Sequence, residues 1–128
     1  MNAGEFSGKL IQSARAISAA EDEYRGAIER WATAERLYKR RQAIATTNVT
    51  EFRNAADREA QVELLPFEDK QTVGDLRYEA HLAENMMNAC KLALQARMQE
   101  LSALQSYASL AKEEARFDRT APSEVMGP

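Results

Sequence analysis

Near the start of the chain, Leu10, Ile17, Tyr24, Trp31, Tyr38 and Ala45 recur at a strict seven-residue interval. Three residues after each of the first five lie Ser13, Ala20, Ala27, Ala34 and Arg41. A repeat with this period is a helical seam, because 3.5 residues per turn returns each position to one face of a helix. The two halves of the seam differ in size. Long side chains fill one position and mostly alanine fills the other, so a neighbouring backbone can approach closely while the large groups pack beside it. This arrangement suits a tight antiparallel pair, whereas a leucine zipper would fill the second position with leucine. The first long helix is expected over residues 7–45. Asn2 with Glu5, or else Ser7, is placed to cap it. On its outer side Glu21 to Arg25 and Glu35 to Lys39 are i,i+4 pairs in the favourable order.

A second long helix is expected over residues 72–117, opening at Thr72-Val73-Gly74-Asp75 as a capping box with aspartate in place of glutamate. A 4-3 repeat runs along it through Leu76, Ala80, Ala83, Met87, Cys90, Leu94, Arg97, Leu101, Leu104, Ala108, Ala111 and Ala115. Beside it runs another stripe, Leu82, Met86, Ala89, Ala93, Ala96, Ala103, Tyr107 and Leu110, interrupted by Glu100. One stripe satisfies one partner helix; two adjacent stripes make an apolar face for two neighbours. Between the long helices, Thr50 is a plausible N-cap for a short helix at 51–61, with Phe52, Ala55 and Ala56 on one face. Pro66 then stops helical structure within Leu64-Leu65-Pro66-Phe67. Residues 46–71 are expected to fold back as a cap over the end of the pair. Asp118 to Pro128 has no periodicity and reads as a disordered tail.

The fold class is therefore all-α: a long antiparallel helical hairpin of the alanine-coil kind with a short helix in the connector. Alanine supplies roughly one residue in six, and each buries little apolar area. Self-association into a dimer or larger bundle is expected to supply the rest, through the second stripe.

Charge and composition narrow the function classes. The chain has 128 residues and a net charge of -3 from 17 basic and 20 acidic groups, unlike a general nucleic-acid coat. The one concentrated positive run is Arg36, Lys39, Arg40 and Arg41, the candidate nucleic-acid contact, with Trp31 and Tyr38 nearby for stacking. Cations near a helix C-terminus also complement the macrodipole without any ligand. Arg41 and Arg97 occupy seam positions, where a charge must pair or snorkel to the edge. No metal centre is expected. The single histidine, His81, lacks the Glu-x-x-His spacing of a di-iron bundle, and Cys90 sits on an apolar stripe between Met87 and Leu94 as a small hydrophobe. No glycine-rich phosphate loop accompanies Gly74. The expectation is a non-enzymatic protein without cofactors. The start of the sequence lacks a basic and an apolar signal region, no apolar run approaches a membrane span, and one cysteine fits a reducing compartment. A cytoplasmic location without membrane association follows as an expectation.

Tyr24 through Tyr38, Thr50-Glu51-Phe52, and Lys91 through Arg116 with Gln105-Ser106-Tyr107-Ala108-Ser109 follow one another in a layout that resembles small helical accessory proteins of tailed bacteriophages of actinobacteria. The resemblance covers residues 10–117 and is one of pattern and composition. It implies a phage accessory role in the host cytoplasm: replication and recombination, virion assembly, or interference with a host factor. It carries no catalytic residues to this chain. The small secreted helical hairpins of mycobacteria have a Trp-x-Gly turn between their helices, whereas Trp31 here lies mid-helix.

Two functional expectations result. One is a self-associating adaptor, assembly factor or inhibitor that binds a protein partner. The other is an accessory nucleic-acid-binding protein that uses the basic run.

Overall fold

The computed structural model describes the backbone of residues 2–125 and the side chains of residues 2–117. Three helices follow in order: α1 (Ala3–Asn48), α2 (Ala55–Leu64) and α3 (Val73–Val125). The fold is all-helical, with α1 packed against α3 and the short α2 in the connector, a helical hairpin. The chain divides into two compact units, one spanning Asp22–Leu92 and the other combining Met1–Glu21 with Ala93–Pro128.

In the unit Asp22–Leu92, the seam of α1 packs in the register expected from its repeat. Ala27 and Ala45 are essentially inaccessible, at 1% and 0% exposure, while Tyr24, Trp31, Tyr38 and Ala34 are half-buried beside them. From α3, Leu76 and Ala80 are buried, and Ala83, Met87 and Cys90 are half-buried. The densest packing lies where the connector closes this unit. Ala45, Val49, Val62 and Val73 form a buried cluster, with Tyr38, Leu65 and Phe67 against it. The connector is thus a structured cap, drawn from all three helices and the segments between them. Leu64 is not part of it and stands exposed.

The short helix begins later than expected. Asn54, not Thr50, is its N-cap. The Asn54 side chain accepts the Asp57 amide at 2.8 Å, and Asp57 Oδ2 accepts the Arg53 amide at 2.9 Å. Three residues after Thr50 stands Arg53, which offers no acceptor for a reciprocal bond, so Asn54-x-x-Asp57 wins. Phe52 consequently lies outside the helix, half exposed, under the Arg58 guanidinium at 5.1 Å. Val62 is the residue by which α2 reaches the core. Arg58 also donates to the Thr46 carbonyl at 3.3 Å, and Arg77 pairs with Glu63 at 2.5 Å, which ties α2 to both long helices.

α1 outruns its expected end at Ala45 and continues to Asn48, with the hydroxyls of Thr46 and Thr47 turned back to donate to the carbonyls of Gln42 and Ala43. α3 opens as expected. Asp75 N donates to Thr72 Oγ1 at 3.1 Å, and Thr72 N donates to Asp75 Oδ2 at 3.0 Å.

In the other unit, α1 starts at Ala3 under an Asn2 cap. Asn2 Oδ1 accepts the Glu5 amide at 2.8 Å, which settles the start against Ser7. Ala20 is buried, and Leu10, Ser13 and Ile17 are half-buried, as are Leu94, Leu101, Leu104 and Ala108 of α3. The helix α3 continues to Val125, past the end expected at Phe117 and through Pro122, so Asp118–Val125, expected as disordered tail, is helical. Of the expected tail, residues 126–128 lie outside the described residues.

Candidate interaction surface

The second stripe of α3 is outside the seam. In the unit containing Ala93–Pro128, Ala93, Ala96 and Ala103 are exposed, with Tyr107 at 47% and Leu110 at 59%. In the unit Asp22–Leu92, Leu82, Met86 and Ala89 are likewise exposed. The two stripes of α3 therefore have different fates: one meets α1, and the other is left exposed among the described residues. Folding alone does not account for the second.

The stripe borders a groove between α1 and α3 of about 650 Å³. Lys9, Gln12, Ser13 and Ala16 form its α1 wall, and Arg97, Glu100, Ala103, Leu104 and Tyr107 form its α3 wall. The alanines at 16 and 103 leave it open. The Tyr107 ring lies 6.3 Å from that of Phe6, tilted by 35°, which closes one end with aromatic surface. From Ala93 to Ala111 the only charged side chains are Arg97 and Glu100, and they contact one another at 3.3 Å. Arg97, expected on the seam, escapes to the edge and is exposed. Such a charge-poor apolar helix face with small residues at its centre is suited to receiving another helix, since interface cores are depleted in charge.

The structure sets Arg41 apart from the other three residues of the basic run, which are exposed. Arg41 turns into the cap of its own unit. Its guanidinium makes a two-point contact with the Asp69 carboxylate and lies 4.5 Å from the centre of the Phe67 ring. A further bond reaches the Gln71 carbonyl at 3.5 Å. The Arg41 contact holds the Asp69 carboxyl down at about 2, below its ordinary 3.8. Lys39 pairs with Glu35 at 3.5 Å. Arg36 and Arg40, four residues apart on one face of α1, are exposed. The seam position of Arg41 announced that it needed a partner; Asp69, in the connector, carried no sequence signal that named it.

His81 is exposed and Cys90 is a half-buried free thiol. Among the described residues no three His, Cys, Asp or Glu side chains converge as metal ligands, and no helix is long and apolar enough to cross a membrane. No family model matches the chain, and neither a curated protein nor a solved structure matches it.

Proposed function

We propose that the protein is a non-enzymatic helical interaction module that self-associates and serves as an adaptor, assembly factor or inhibitor for a protein partner. The observation that carries this reading is the exposed stripe of α3, charge-poor from Ala93 to Ala111 and bordered by an open groove. A side chain such as Leu110 gains roughly 25 cal/mol per Å² of apolar surface removed from water, and a second chain would supply that gain. The phage-like layout of the sequence fits such a module into an accessory role in a host cytoplasm, as part of the same proposal.

Thermal unfolding followed over a range of protein concentrations tests the reading. Association stabilises the folded state by mass action, so Tm should climb with concentration. A Tm independent of concentration would count against self-association.

The nucleic-acid reading draws less support, because Arg41 and Lys39 already have carboxylate partners. It predicts salt-sensitive DNA binding that is lost on joint replacement of Arg36, Lys39 and Arg40 by alanine. Retention of the wild type on DNA at low salt with that behaviour would favour it over the protein-binding reading.

A further inference from the structure

We infer that the occupant of the α1–α3 groove is a second copy of this chain, docked antiparallel, α3 against α3, about a two-fold axis beside Leu101 and Ser102. The inference rests on the self-association reading and goes beyond it in fixing direction and register.

Ala93, Ala96, Glu100, Ala103, Tyr107 and Leu110 alternate in steps of three and four, the spacing of a helix–helix seam. Antiparallel pairing about that axis sets Ala93 opposite the partner's Leu110, Ala96 opposite the partner's Tyr107 and Glu100 opposite the partner's Ala103. Every layer then joins one alanine with one longer side chain, which gives even packing along about 27 Å of helix. A shift of one heptad in one direction sets Ala93 against Ala103 and leaves a void. A shift in the other direction sets Glu100 against Leu110. A parallel pair in register sets Glu100 against Glu100.

Charge supports the same register. Lys9 stands on the α1 wall of the groove and has no ion pair among the described residues. Lys9, Ala103 and Tyr107 line one groove, so the partner's Glu100, which meets Arg97 of its own chain at 3.3 Å through one carboxylate oxygen and is placed opposite Ala103, comes to the side where Lys9 stands. The two-fold makes this contact twice.

The test uses the full chain with Cys90→Ser and single cysteines added on exposed positions of the stripe. Ala96→Cys mixed with Tyr107→Cys under mild oxidation should give a covalent heterodimer, well above the cross-linked fraction of either variant alone. Ala93→Cys with Leu110→Cys should do the same and keeps the test standing if the loss of Tyr107 perturbs the fold. Cross-linking of Ala96→Cys with itself, or preferentially with Glu100→Cys, would overturn the register. A chain that is dimeric in light scattering yet gives no cross-link in either mixture overturns this inference alone. A chain that stays monomeric overturns the self-association reading with it.

Discussion

Arg41 and Asp69 hold the connector to the end of α1: the two terminal guanidinium nitrogens each meet one carboxylate oxygen, and the Phe67 ring lies beneath the cation. A charge at a seam position is thereby paired at the edge of the core cluster. The contact depresses the Asp69 carboxyl to about 2 from an ordinary 3.8. A depressed folded-state value means that the stabilisation is fully present above the unfolded value and is lost as pH falls through the folded one. The denaturant midpoint of the wild type should exceed that of Asp69→Asn at neutral pH. The gap should narrow below 3.8 and close near 2. A gap that is constant with pH would show that the carboxylate charge contributes nothing.

The alanine seam sets how closely the helices approach in the unit Asp22–Leu92. Ala27, at 1% exposure, has no room for a larger side chain. Ala27→Leu should destabilise by about 1–3 kcal/mol through overpacking, read as a lower midpoint in urea. An unchanged or raised midpoint would mean that the helices are not held close at this layer.

The cap of α2 gives a comparison between two nearby residues. Asn54→Ala removes the acceptor for the Asp57 amide and should cost about 0.5–2 kcal/mol. Thr50→Ala, four residues before the cap, should change stability by only a few tenths. Equal losses from the two substitutions would contradict the placement of the cap.

Lys70 adopts a φ of 64°, in the left-handed region that disfavours any residue with a Cβ. It is the last residue of a tight turn, and its amide donates to the Phe67 carbonyl at 2.8 Å. Lys70→Gly should therefore raise stability, by up to about 1 kcal/mol after glycine's greater unfolded-state freedom is counted. A clear loss of stability would show that the lysine side chain makes a contribution that outweighs the strain.

These positions also mark where the sequence was legible. The seams could be read for most of their length, because burial of one face repeats with the helical period and Ala20, Ala27 and Ala45 follow it, but Arg97, Ala111 and Ala115, expected on the seam of α3, are exposed. The Thr72–Asp75 box was legible because both partners are local in sequence. The exposed fate of the second stripe also followed, since one α1 can cover only one side of α3. The connector was harder. Lys70 gives no hint of a turn that glycine or asparagine would announce, and the expected cap at Thr50 overlooked Asn54 with its reciprocal acceptor at Asp57. Asp69 is joined to Arg41 across 28 positions, a distance at which no periodicity operates. Lys9, Gln12 and Ala16 became wall residues of the groove only when α1 and α3 were paired.

The central claim is that the exposed stripe of α3 is an interface between copies of the chain, and sedimentation equilibrium of the wild type beside Ala103→Glu tests it most directly. Ala103 is exposed within a folded chain, so the substitution should leave helicity by circular dichroism unchanged while placing a charge in the proposed seam. The account predicts a wild-type mass of two chains or more at high concentration and a mass of one chain for Ala103→Glu. A single-chain mass for the wild type at every concentration, or an assembly that Ala103→Glu leaves intact, would contradict it.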